Sequence, residues 1–211
     1  MHKSAYNHVE KNLQKYFNPE KHKRVVDIGS RQVQPGHLTH RTLIEPLNVN
    51  YVGLDIVAGP NVDLVMKKPY RLPLKSNSVD IIICGQAFEH IPYFWITFME
   101  MARVLAPGGI IIITAPSRGH VHSPPTDCWR FYPDGMRALA KFSDLDLLDA
   151  YTDFPPKEGK RFDYTKIEET KYWGDTVGVF TKSAKYGSWK TSLAREVMIR
   201  WANKRNRLKP R

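Results

Sequence analysis

Apolar residues along this chain switch repeatedly between helical and strand-like spacing. In residues 5–17, Val9, Leu13 and Phe17 stand four apart, the mark of one helical face. Residues 24–28 form a short apolar run that stops at Gly29, as a buried strand entering a turn does. The alternation then repeats. A helix is expected over 37–47, a strand over 51–54 closed by Asp55, another over 62–66, and a continuous apolar strand over 79–84 closed by Gly85. Residues 94–105 have helical spacing, stopped by Pro107-Gly108-Gly109, and 110–115 form a fifth strand. Pro133, with Asp134 beside it, opens a helix that runs to about Phe142. Two late strands are expected over 145–152 and 176–181, with a mostly polar loop between them, and a last helix over 188–207.

Strands alternating with helices imply a parallel sheet covered by helices on both faces. Ile81-Ile82-Ile83 and the run 110–113 show no polar alternation, as strands buried on both sides require. The two late strands lack a crossover helix between them, which makes an antiparallel hairpin at one sheet edge. Ligands of such sheets bind beyond the carboxyl ends of the strands, near the point where strand order reverses.

Composition adds limits. The chain has 211 residues, enough for one domain with its own core. No run approaches the roughly 18 apolar residues of a membrane span, and residues 1–10 lack the apolar core of a signal peptide. Two cysteines, Cys84 and Cys128, make no disulfide framework, so a cytoplasmic protein is expected. The net charge of +11 is unevenly placed. Residues 182–211 carry 10 Lys and Arg against the single acid Glu196, a net of +9, while residues 1–181 hold only +2. A partner inferred from charge is therefore a partner of the tail.

Candidate chemistry falls at the strand ends. Val25-Val26-Asp27-Ile28-Gly29-Ser30 is a strand running into a tight turn, where Gly29 lets backbone approach a ligand. Asp55 ends the second strand, and a carboxylate there can accept from both hydroxyls of a ribose. Gly85-Gln86 ends the fourth strand, and Glu89-His90 follow. Each feature alone is commonly just a turn or a cap; their joint order is what points to a nucleotide cofactor.

The stretch LPLKSNSVDIIICGQAFEHIPYFWITFMEMARVLAPGGIIIITAP, residues 72–116, resembles the middle of a class I S-adenosylmethionine-dependent methyltransferase domain of the type 11 kind. Its marks are the acidic strand end, the Glu-His pair and the ARVLAPGG turn, and the likeness covers roughly residues 24–140. The Gly-Ser turn, GPNVDLV, the FWITFMEMARVL helix and PTDCWRFYPDGM resemble a subgroup associated with bacterial glycan biosynthesis. The resemblance implies a Rossmann-like, mostly parallel seven-stranded sheet and S-adenosylmethionine as cofactor. It further implies that Asp27, Gly29 and Ser30 lie beside the methionine moiety, that Asp55 holds the ribose with Ile56 against the adenine, and that Gly85 and Gln86 line the floor. Two positions depart from the family pattern. Arg31-Gln32 replaces further glycines, and Lys67 stands where many relatives place an acid.

The loop over 116–132 is rich in His, Pro and aromatic residues and would cover the cofactor. His120 and His122, with His90 beyond the fourth strand, are candidates for the base that oxygen methylation uses. The alternative is that Trp129, Phe131 and Tyr132 pack the loop while the histidines are merely solvated. Asp127 could orient a histidine or bind substrate, and Arg130 could clamp an anion. A metal set of His120, His122 and Cys128 matches no zinc spacing and lacks a fourth ligand, so no metal is expected.

Residues 1–181 thus read as the methyltransferase domain, with a helix in 1–23 and the cofactor core in 24–140; 182–211 read as a basic amphipathic helix. Trp189, Leu193, Val197 and Trp201 recur every four residues and form one apolar stripe. That stripe either docks the helix on the domain or lies on an anionic membrane surface, and the basic residues also suit RNA. The function expected is methyl transfer to an oxygen, less readily a nitrogen, of a small molecule or glycan. The rivals are an RNA or protein methyltransferase guided by the tail, and a non-catalytic binding module of the same fold.

Overall fold

The computed structural model describes residues 3–122, 126–153, 174–183, 186–187 and 189–205. Seven strands form one sheet: β1 (Arg24–Ile28), β2 (Asn50–Asp55), β3 (Leu64–Val65), β4 (Val79–Gly85), β5 (Leu105–Pro116), β6 (Asp146–Thr152) and β7 (Asp175–Thr181). Their order is β3-β2-β1-β4-β5-β7-β6. The first five run parallel, while β7 lies antiparallel between β5 and β6. The mostly parallel Rossmann-like sheet with an antiparallel edge hairpin is thus the observed fold.

Alternation inside the apolar runs decides which residue faces which layer. Ile81 and Ile83 of β4 face the layer of helix α1 (Lys3–Tyr16), joining Val9, Leu13, Val25 and Ile112. Ile82 and Cys84 face the other layer, where α3 (Phe94–Val104) and α4 (Pro133–Ser143) supply Phe98, Met101, Met136 and Leu139. Pro133 opens α4, and Asp144 in the left-handed region closes it. β5 begins at Leu105, so the Pro-Gly-Gly segment lies within the strand. The pairing with β4 jumps there from Leu105 to Ile110.

Two expected helices come out differently. The helix expected over 37–47 is a short one, α2 (Arg41–Ile44), continued by a single 3-10 turn over Glu45–Leu47. Pro46 lacks an N–H, and Asn48 turns left-handed just after it. Residues 37–40 line a cleft instead.

The last helix, α5 (Trp189–Arg205), packs on α3, but not through the predicted stripe. Leu193, Val197 and Trp201 are 58, 59 and 47% exposed, whereas Arg195, Ile199 and Ala202 are at most 9% exposed. The docking face is partly ionic. Glu100, fully buried on α3, accepts from Arg103 at 2.6 and 2.7 Å, with Arg195 3.9 Å away. Arg71 bridges to Glu196 at 2.7 Å. Asn203 accepts the Tyr70 N–H, and Trp201 keeps one ring contact, with Tyr93. No helix among the described residues is long and apolar enough to cross a membrane. The expected loop between β6 and β7 lies almost wholly outside the described residues, as do residues 206–207 of the tail.

Candidate active site

Strand order reverses between β1 and β4, and an open cleft lies at their carboxyl ends. Asp27, Gly29, Ser30, Arg31, His40 and Gly85 are among its lining residues. Two glycines shape it. Gly29 has φ +77°, and a Cβ there would stand 2.7 Å from that of Ala87. A Cβ on Gly85 would come within 2.6 Å of the His40 ring. Backbone therefore forms the wall on both sides.

Asp27 is buried, and both its oxygens are engaged. His40 Nδ1 donates to one at 3.0 Å and the Tyr51 hydroxyl to the other at 2.7 Å. Burial, then the Asp27 charge, push the Tyr51 hydroxyl far up, so it stays a donor. With Nδ1 committed to Asp27, His40 turns Nε2 toward Gly85. That atom is buried and has no hydrogen-bond partner among the described residues, as is Thr114 Oγ1 nearby. Sequence reading missed His40, because the helical pattern absorbed it.

Asp55 ends β2, half-buried, and accepts the backbone N–H groups of Arg31 at 3.2 Å and Val57 at 3.0 Å. Each carboxylate oxygen keeps a lone pair for a further donor. Ile56 follows, 42% exposed. Ser30 is tied to Asn61 in both directions. Arg31 folds back, its guanidinium side near Gly59, and Lys67 is exposed beyond β3. Gln86 holds a left-handed φ of +54° and donates to Asp175, which also accepts from Ser4.

Past Gln86 the chain makes a 3-10 turn, Phe88–His90, and the loop after β5 lies on it. Cys128 N–H donates to the Glu89 carbonyl at 2.7 Å, and the Trp129 indole donates to the Pro92 carbonyl. Phe131 is buried against Phe88 and Phe94. Asp127 and Arg130 satisfy each other at 2.6 and 2.8 Å, and the guanidinium holds the Asp127 carboxyl far below the usual range. Asp127 Oδ2 also accepts the His122 N–H and lies 3.1 Å from His122 Nδ1. His120 is exposed, its carbonyl accepting from Arg130. The three candidate histidines are thus divided: His90 and His122 touch through their Nε2 atoms at 3.2 Å, and His120 stands apart. Glu89, unassigned by sequence reading, is buried beside them, and burial pushes its carboxyl up to about 8. Burial lowers His90, keeping its ring neutral at neutral pH.

A family model described as "Methyltransferase domain" matches residues 39–113. An uncharacterized methyltransferase of Mycobacterium bovis is 27% identical over 146 residues, 62% of this chain and 54% of that protein. The chain spans about half the length of such curated relatives. Among solved structures, a 1,6-didemethyltoxoflavin N1-methyltransferase of Burkholderia thailandensis, with bound S-adenosylhomocysteine, superimposes with a TM-score of 0.62. Its identity is 13%, covering 85% of this chain and 79% of that one. A SAM-dependent methyltransferase of Archaeoglobus fulgidus gives 0.56 at 16% identity, covering 84 and 94%. In its central sequence and in its sheet, this chain is similar to the class I S-adenosylmethionine-dependent methyltransferases, and its fold is theirs.

Proposed function

We propose that the protein is an S-adenosylmethionine-dependent methyltransferase acting on an oxygen of a small molecule or glycan. The observation that carries this reading is the cleft at the reversal point. There a buried His40 Nε2 has no partner among the described residues, backbone stands where any Cβ would intrude, and Asp55 keeps lone pairs at the rim. Those features fit the cofactor: an amino-acid moiety beside His40 and Gly29, and a ribose on Asp55. Gly85 and Gln86 would form the floor. The cofactor brings a sulfonium-activated methyl group, so the chain has chiefly to position the acceptor and exclude water. His90 or His122 would take the hydroxyl proton, with Asp127 orienting His122. The preference for oxygen follows from these bases lying next to the cleft.

Calorimetric titration with S-adenosylmethionine and S-adenosylhomocysteine tests this. Micromolar binding that Asp55→Ala abolishes is the expected result. A folded protein that binds neither would overturn the reading in favour of a non-catalytic module, with Arg31 as the first suspect.

The exposed face of α5 supports a second element, recruitment to an anionic membrane. Leu193, Val197 and Trp201 are interleaved on that face with the exposed Arg200, Lys204 and Arg205, basic charge that anionic headgroups attract. Flotation with phosphatidylglycerol vesicles should retain the protein and release it in Val197→Asp/Trp201→Ser. Equal recovery with neutral vesicles, or none with anionic ones, refutes the recruitment.

A further inference from the structure

Beyond β4, under the loop that follows β5, three ligating side chains converge: Glu89 and the two candidate bases, His90 and His122, whose Nε2 atoms cannot serve as a base while they hold an ion. One ligand atom from each of Glu89, His90 and His122 lies within 4.8 Å of the other two. We propose that these three side chains bind one divalent transition-metal ion, through Nε2 of each histidine and the Glu89 carboxylate.

Four observations carry this. His90 Nδ1 donates to the Thr126 carbonyl at 2.8 Å, which in the neutral ring leaves Nε2 as the lone-pair atom. His122 Nδ1 faces the Asp127 carboxylate at 3.1 Å. The carbonyl behind the His90 imidazole is the arrangement that orients a metal-bound histidine, and the Asp127 carboxylate stands at ion-pair distance behind the other ring. The two Nε2 atoms are 3.2 Å apart, close to the roughly 3.3 Å expected for two nitrogens about 2.0–2.1 Å from one tetrahedral ion. Glu89 is 1% exposed, its Oε1 lies 3.7 Å from His90 Nε2, and its Oε2 has no hydrogen-bond partner among the described residues.

A proton shared between the rings would account for the histidine contact alone. It would leave Glu89 Oε2 buried beside them with no partner among the described residues, which an ion corrects. The nearby Arg130 does not stand against a cation, because Asp127 pairs with it bidentately. Two imidazoles and one carboxylate favour zinc, iron(II) or manganese(II) over calcium or magnesium. Three protein ligands leave positions for water or for an acceptor oxygen. That acceptor role rests on the methyl-transfer reading; the ion site does not.

The test uses the full chain, stripped with chelator and titrated with Co²⁺ and Zn²⁺. One Co²⁺ per chain with visible ligand-field bands is expected, displaced by Zn²⁺. Glu89→Gln and His122→Gln should each weaken binding by about 100-fold or more, the upper end of what even outer-shell changes cost. His122 sits in a partly exposed loop, so its variant keeps the fold if the first does not. No stoichiometric Co²⁺ uptake by the wild type, or uptake unchanged in His122→Gln, overturns the proposal. S-adenosylhomocysteine titrated into the same samples separates the two readings. Cofactor binding without the ion sinks the metal site alone; the ion without cofactor binding sinks methyl transfer alone.

Discussion

Glu89 and Glu100 are both almost fully buried, at 1% and 0% exposure, and flank the start of α3, yet their surroundings are opposite. Glu100 accepts two guanidinium bonds from Arg103 and the Leu72 N–H at 3.0 Å, with Arg71 3.6 Å away. Glu89 has His90 3.7 Å from Oε1, and its Oε2 has no hydrogen-bond partner among the described residues. The same residue type therefore serves two ends. One carboxylate is enclosed by its own chain and fastens α3, the segment 71–72 and α5 together. The other is held ready at the carboxyl edge of the sheet, as are His40 Nε2 and Thr114 Oγ1. Buried polar groups left unsatisfied are uncommon in folded proteins. Among the described residues, His40 Nε2, Thr114 Oγ1 and Glu89 Oε2 border the cleft and the cluster next to it, whereas Arg195 Nε and Thr97 Oγ1 lie on the packing side.

The largest expected effect is on the enclosed side. Glu100→Ala strands the buried Arg103 guanidinium and should cost about 3–5 kcal/mol in urea denaturation. Glu89→Gln, by contrast, should shift stability by no more than about 1 kcal/mol, because it removes no charged partner. A comparable loss for both variants would erase the distinction. Next in size, Asp55→Ala should weaken S-adenosylhomocysteine about 100-fold through two lost charge-assisted bonds, with the melting temperature falling only slightly.

The two faces of α5 sharpen the comparison further. Ile199→Ala, on the docked face, should cost about 2 kcal/mol. Val197→Ala, on the exposed face, should stay within about 0.5 kcal/mol. Equal losses in thermal melts would mean that the exposed stripe is a packing surface after all.

The smallest effect is a pH dependence. Lys182 is buried, and its ammonium donates to the Ala102 and Leu105 carbonyls and to Asn77. Burial, with Arg195 and Arg103 nearby, lowers it to about 8 from its ordinary 10.5. Between those two values the unfolded chain binds the proton and the folded chain releases it, so wild-type stability gains from this group as pH rises from 8 toward 10.5. Lys182→Met should flatten that rise in denaturation series at pH 7.5 and 10. An unchanged slope would show that the carbonyls hold the ammonium charged throughout.

Much of this could be read along the chain. Unbroken runs such as Ile81-Ile82-Ile83 can only be strands covered on both faces, and a strand's carboxyl end is where the chain turns. Asp27, Gly29 and Gly85 were therefore legible as neighbours of one cleft. Pro133 marked α4 because its fixed φ and missing N–H suit a first helical turn. Register with β7, by contrast, has no local signal, since pairing depends on what lies across the sheet.

What the sequence determined by itself was periodicity: which segments are strands, in what order, and which residues end them. Only tertiary structure decided which of two apolar faces α5 would bury. Both faces carry apolar residues, and the choice went to the one whose Arg195 and Glu196 meet Glu100 and Arg71. Likewise, spacing gave no metal set, since His120, His122 and Cys128 match no zinc pattern, whereas folding brings His122 to Glu89 and His90. Those partners come from two loops that meet only because β4 and β5 pair in parallel, which puts the ends of both strands on the same edge of the sheet.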